Sequence, residues 1–324
     1  MMKKILALLT AMMVAALCTV APAMAEVKKI SVVTTIFPVY DWTREIIGDS
    51  GNAELTMLLD SGVDLHSYQP TAMDIMKVAT CDVFIYVGGE SDAWVKDALS
   101  EAVNRDMIVI NLMQALGEDV KEEEIVECME EEHDHGKEHD HDDEKESDEH
   151  IWLSLRNAEK LVRVIAGKLG EADPAGADTY QANAVAYETK LKDLDQRYQE
   201  MAGKAAYHTV LFGDRFPFRY LVDDYGLEYY AAFSGCSAET EASFQTIVFL
   251  AGKMDEMKLP AVLCIEGTNH RIAETIINAT QGRDQKLLAV NSMQGTTKKD
   301  AESGTTYLGL MESNLAVFEN ALNK

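Results

Sequence analysis

The stretch "AGADTYQANAVAYETKLKDLDQRYQEMAG", residues 175–203, holds no proline and no glycine between Ala177 and Ala202. Its apolar side chains recur at helical spacing, at Tyr180, Ala184, Tyr187, Leu191, Leu194 and Tyr198. The pattern predicts one continuous helix of about 25 residues, roughly 38 Å long at ~1.5 Å per residue. A helix that long can run across two domains as a rigid strut, where a flexible hinge would need short linkers instead.

On either side of this segment the chain reads as two similar halves. Before it, "KKISVVTT" (28–35), "AELTML" (53–58), "CDVFIYV" (81–87) and "MIVINL" (107–112) have the apolar density of buried parallel strands, with helical patterns at 38–48, 70–79 and 91–103 between them. After it, "HTVLF" (208–212), "LEYYAAF" (227–233), "PAVLCI" (260–265) and "KLLAV" (286–290) repeat the theme, with helices at 216–225, 241–257, 270–280 and 304–322. Strands alternating with helices imply an α/β fold of two parallel-sheet lobes joined by the long backbone helix. The expected division is 1–25 as a leader, 26–117 as an N-terminal lobe, and 118–149 as an acidic disordered loop. Residues 150–203 then finish the first lobe and form the linking helix, and 204–324 form the C-terminal lobe.

The leader reading rests on Lys3 and Lys4, the apolar run "ILALLTAMMVAALC" and a small-x-small site at Ala23-Met24-Ala25, the pattern of a cleaved export signal. "AALC" ending at Cys18 is the competing lipidation reading, against which stands the bulky Leu17. The full chain has a formal charge of −26, and loss of the leader removes two lysines and no acid, leaving −28. Such a surface repels nucleic acid and anionic membrane and attracts cations. The remaining cysteines, Cys81, Cys128, Cys236 and Cys264, form no CxxC pair, so a zinc ribbon or thioredoxin-type motif is not expected.

Ligand crevices of open parallel sheets lie beyond the carboxyl ends of the strands. His66 falls there, in "LLDSGVDLHSYQPT" after the strand at 53–58, although a lone loop histidine is more often an ordinary surface residue. His150 stands where an acidic tract gives way to the apolar "IWLSL". Residues 118–149 of that tract hold 18 aspartates and glutamates against 3 lysines, a composition that cannot bury enough surface to fold alone. A solvated linker is the commonest meaning of such a run. Two H-x-H pairs, His133 with His135 and His139 with His141, add the spacing of an auxiliary metal-binding tract.

The chain resembles the periplasmic metal-binding receptors of ABC importers for zinc and manganese. "GVDLHSYQPTAMDIMKVATCDVFIYVGGESDAWVKDAL" (62–99) looks like that family's "GxDPHxYxP" loop and the elements after it, and "EHIWLSLRNA" (149–158) resembles its "PHxWLdP" segment. "TTIFPVYDWTREIIGD" (34–49), "YQANAVAYETKLKDLD" (180–195) and "TYLGLMESNLAVFENAL" (306–322) resemble its first strand and helix, backbone helix and final helix. The resemblance implies one divalent metal in a cleft between the lobes, held by three histidines and a carboxylate. The first two histidines fall on His66 and His150. The third falls on Gly213 in "LFGDRFPFRYLVDDYGL", with Asp214 next to it, and the carboxylate falls on Asn291 in "LAVNSM", so half of the implied set is altered.

Asp214 is the first candidate to replace the lost ligand, against a plain role in a salt bridge with Arg215 or a helix cap; Glu266 and then His270, in "CIEGTNHRIAET", follow it. Cys236 and Cys264, read as ending neighbouring strands, are candidates for a disulfide; two reduced thiols and, ranked lower, a thiolate metal site stay open. The His-rich acidic tract, which the zinc-specific branch of the family carries at this place, favours zinc over manganese.

The function expected is therefore capture of Zn2+ outside the cytoplasmic membrane, in the periplasm or on the membrane's outer face, by a monomer that delivers it to an ABC permease–ATPase complex, with no catalysis. The rivals are a manganese receptor of the same family, a zinc hydrolase with an open coordination position, and an adhesin-like surface protein. A hydrolase would call for a general base beside the metal, and no HExxH-type motif is present.

Overall fold

The computed structural model describes residues 29–127, 129, 146–237, 241–267 and 269–323. The leader, Cys18, and the loop histidines His133, His135, His139 and His141 lie outside these residues.

The first lobe contains β1 (Ile30–Thr34), α1 (Phe37–Ile47), β2 (Ala53–Met57), α2 (Ala72–Thr80), β3 (Val83–Tyr86), α3 (Trp94–Ser100), β4 (Ile108–Asn111) and α4 (Leu112–Leu116). Two long helices follow, α5 (Leu155–Ala172) and α6 (Ala177–Lys204). The second lobe contains β5 (Thr209–Phe216), α7 (Arg219–Tyr225), β6 (Glu228–Ser234), α8 (Phe244–Met257), β7 (Ala261–Ile265), α9 (Arg271–Ala279), β8 (Lys286–Val290), α10 (Lys298–Glu302) and α11 (Tyr307–Ala321). Both sheets are parallel and have the same order, β2-β1-β3-β4 and β6-β5-β7-β8. In each, the chain moves outward on one side of the first strand and then crosses to the other, which leaves a crevice at the carboxyl ends.

α6 has 28 residues, so it extends about 42 Å. All six apolar positions read from its sequence are buried. Asn183 Nδ2 donates to Ile46 O in α1 at 3.0 Å, and Tyr198 OH donates to Met311 O in α11 at 2.7 Å, so one helix is tied to both lobes. The preceding α5, which the sequence reading had left within the linking segment, lies antiparallel to α6 and buries Leu161, Val162, Ile165 and Leu169 at its core face. Trp42 and Tyr307, both fully buried, meet edge-on with ring centroids 5.1 Å apart and join α1 to α11.

Three details depart from the sequence reading. First, both ends of the segment expected to be loop are structured: Glu122 pairs with Ser147 in an antiparallel bridge, Glu123 N–H donates to Glu146 O at 2.8 Å, and Asp148 N–H donates to Lys121 O at 2.9 Å. Asp148 and Glu149 are buried beneath it. Second, β5 runs to Phe216 with a register shift between Phe212 and Arg215, where two residues oppose one on β6. Third, β6 and β7 are not neighbours, since β5 lies between them. Cys236 and Cys264 accordingly form no disulfide; both are free, with Cys264 buried in the core between α8, α9 and the sheet.

Candidate metal centre

His66 is carried on a short 3-10 turn, Leu65–Ser67, that follows β2. Asp64 starts the turn, and its Oδ1 accepts the His66 N–H at 3.0 Å. His150 starts another such turn, Ile151–Leu153. Asp148 Oδ1 accepts both the His150 N–H at 2.8 Å and the ring Nδ1–H at 2.9 Å. Asp148 is itself held by Tyr220, whose hydroxyl donates to Asp148 O at 2.8 Å, and Trp152 Nε1–H donates to Ser292 O at 2.9 Å. His150 is thus fixed to both lobes and has no solvent exposure.

The two imidazoles meet. His66 Nε2 lies 3.1 Å from His150 Nε2. The Nδ1 side of each ring faces oxygen: Ser91 Oγ at 2.8 Å and Glu149 Oε2 at 3.5 Å for His66, and Asp148 for His150. Because a carboxylate can only accept, the proton of a neutral His150 ring belongs on Nδ1; the Ser91 hydroxyl can accept from His66 Nδ1 in the same way, and in that tautomer the Nε2 lone pairs point at a common position. Burial, and then the neighbouring His150, push the His66 imidazolium down to about 4, so this ring is neutral through the physiological range. Two nitrogens bound to tetrahedral zinc at ~2.05 Å lie about 3.3 Å apart, close to the spacing seen here.

Other groups complete the surroundings. Gln294 Nε2 is 2.7 Å from His150 Nε2 and 3.4 Å from His66 Nε2; a half-turn of this amide presents Oε1 to the same position. Cys236 Sγ joins the two histidines in a cluster whose ligand atoms all lie within 4.8 Å of one another. Burial raises the Cys236 thiol above its usual range, as do Glu123, Asp148 and Glu149 nearby. Burial likewise raises the Glu149 carboxyl. A cavity of about 550 Å³, lined by His66, Ser91, Glu149, Glu146 and Cys236, opens onto the cluster.

The carboxylates expected to replace the missing ligands are elsewhere. Asp214 Oδ1 accepts the Arg215 N–H at 2.9 Å and Oδ2 accepts the Ile265 N–H at 3.2 Å. With Glu266 and His270 it borders a separate cavity of about 400 Å³. Glu266 is occupied by Ser292, accepting its N–H at 2.6 Å and its hydroxyl at 2.8 Å. Gly213 does not face the cleft: a β-carbon there would lie 2.5 Å from Ala273 Cα on α9. The side chain that does cross the cleft is Arg215, paired through Nη2 with Asp64 Oδ2 at 2.8 Å. Against the pull of burial, that guanidinium, helped by His66, holds the Asp64 carboxyl below its ordinary range. Asn291 turns away, its Oδ1 accepting the Met293 N–H at 2.8 Å. Gln294, three residues on, was missed in the sequence because an amide carries no titratable signature. Cys236, read in the sequence as ending a strand and ranked lower as a metal thiolate than as a disulfide partner, is the one of the two cysteines that the structure brings to the histidines.

Comparison with known proteins agrees with this architecture. The high-affinity zinc uptake system protein ZnuA of Bacillus subtilis (strain 168) is 29% identical over 294 residues, covering 91% of this chain and 88% of its own. The zinc-binding lipoprotein AdcA of Streptococcus pneumoniae is 30% identical over 300 residues, but this chain spans only 56% of it. The solved zinc(II)-bound ZnuA-like domain of AdcA from Streptococcus pneumoniae superposes with a TM-score of 0.70 at 27% identity, covering 91% of this chain and all of that one. The model of the family described as "zinc-uptake complex component A periplasmic" matches residues 32–321, from the first strand to the last helix, and the chain belongs to that family.

Proposed function

We propose that the protein is an extracytoplasmic receptor that captures one zinc ion between its lobes, with His66 and His150 as ligands, and passes it to an ABC-type permease. One observation carries the reading: a buried imidazole, His150, and a part-buried one, His66, each held through Nδ1, bring their Nε2 atoms within 3.1 Å of each other. Tight capture needs neutral donors whose orientation is fixed before the ion arrives, and outer partners such as Asp148 and Ser91 supply that fixation. The relatives named for zinc uptake support a carrier rather than an enzyme. The acidic surface favours approach of a dication. Among the described residues no helix is long and apolar enough to cross a membrane, so this reading gives the transmembrane step to the partner.

Calorimetry with untagged protein tests the proposal. The expected result is one tight zinc per molecule, removed by His66→Ala and by His150→Ala with the circular dichroism spectrum unchanged. Wild-type affinity retained in both variants would overturn it.

A further inference from the structure

We infer that Cys236 supplies a thiolate as the third protein ligand, making the cleft a His2Cys site that selects thiophilic cations over manganese. This deepens the zinc reading above and rests on it. The cluster of His66, His150 and Cys236 is drawn from both lobes: His66 comes from the loop after β2, His150 from the head of α5, and Cys236 from the turn after β6. The second lobe must contribute something, because Gly213 and Asn291 point elsewhere and Asp214 and Glu266 are already bound to backbone N–H groups.

The local backbone is built around this contact. A β-carbon at Gly235 would lie 2.9 Å from Phe216 O, 3.0 Å from His150 Cε1 and 3.1 Å from His150 Nδ1. Only glycine lets the chain pass this close to the imidazole, and the next residue is delivered to the cluster. Cys236 N–H is also tied down, donating to Glu123 Oε1 at 3.1 Å. Among the described residues its sulfur has no disulfide partner, whereas Cys81 and Cys264 are buried away in the cores of the two lobes.

The chemistry fits zinc. Bond lengths of about 2.3 Å to sulfur and ~2.05 Å to nitrogen put a tetrahedral S···N edge near 3.6 Å, so a cluster whose ligand atoms lie within 4.8 Å of one another needs to contract by at most about 1 Å. One thiolate leaves the dication at +1, and Glu149 and Asp148 offset the remainder. Gln294 or a water molecule fills the fourth position. A thiolate prefers zinc, cadmium and other soft ions, and is a poor donor for manganese, which favours oxygen.

The test is cobalt substitution together with zinc competition titration. Wild-type protein loaded with Co(II) should show an intense near-ultraviolet thiolate-to-cobalt charge-transfer band. Cys236→Ser should abolish the band and weaken zinc by at least about 100-fold, beyond the ~10–100-fold typical of losing an outer partner. Cys264→Ser should retain the band, and thermal melts of metal-free Cys236→Ser and Cys236→Ala confirm that the fold survives. Wild-type protein that binds zinc through His66 and His150 but shows no such band overturns the thiolate while leaving the receptor reading intact. Absence of any tight zinc in the wild type overturns the receptor reading itself.

Discussion

Arg215 Nη2 lies 2.8 Å from Asp64 Oδ2, and this pair ties the bulged end of β5 to the turn that carries His66. The same Asp64 accepts the His66 N–H, so the position of an imidazole in one lobe depends on a guanidinium in the other. Arg215→Gln is expected to cost about 1 kcal/mol of unfolding free energy, in keeping with a partly exposed pair. It should also speed zinc dissociation severalfold, measured by stopped-flow with a chelating dye. An unchanged release rate would show that the turn holds His66 without help.

Asp214 gives a prediction opposite to the one its sequence position invites. Both of its oxygens are already engaged by backbone N–H groups. Asp214→Asn should therefore leave zinc affinity within about twofold, while losing about 1 kcal/mol of stability as an amide N–H2 meets an N–H donor. A tenfold loss of affinity, about 1.4 kcal/mol, would restore Asp214 as a ligand.

The histidine-rich stretch can be separated from the primary site only if its structured ends are kept. Residues 121–123 pair with 146–148, and Glu123 holds Cys236 N–H. Replacing 130–145, which contain His133, His135, His139 and His141, by a short Gly/Ser linker should preserve one tight zinc and remove additional weak zinc in equilibrium dialysis. Loss of the tight ion would mean that the stretch supplies primary ligands.

Asp41 makes the metal-free protein pH-sensitive. It is fully buried in α1, accepts the Tyr307 N–H at 2.7 Å and pairs with Arg44. Burial nonetheless raises its carboxyl from 3.8 to about 6. A raised carboxyl binds its proton more tightly folded than unfolded. Its contribution is thus fully present below pH 3.8 and is lost as pH rises through about 6, on the order of 3 kcal/mol in all. The difference in unfolding free energy between apo wild type and Asp41→Asn, from denaturant titrations, should change by roughly 2–3 kcal/mol between pH 4 and pH 7. Parallel curves would refute the assignment.

Much of the architecture was legible because both periodicities are strong. The strands lie within a few residues of their apolar runs, and α6 buries every position its spacing marked. His66 and His150, whose rings the structure brings together, could be singled out because each borders an ordered segment. What failed did so at places where chain order does not give spatial order. The pairing of Cys236 with Cys264 assumed that β6 and β7 touch, but the crossover puts β5 between them. The weight given to Asp214 rested on a strand ending at Phe212, whereas β5 continues to Phe216 with one extra residue that turns Gly213 toward α9 and sends Arg215 across the cleft. Neither a bulge nor a sheet order leaves a mark in local composition.

A final consequence follows from α6, a single uninterrupted girder bonded to α1 through Asn183 and to α11 through Tyr198. A molecule built on such a member has little room to gape, so its silhouette should be nearly the same laden or empty; a small-angle scattering curve that shifts on loading would argue otherwise. A transporter that meets it would then have to tell the two apart by touch rather than by outline, through whether a cation sits among His66, Cys236 and Gln294.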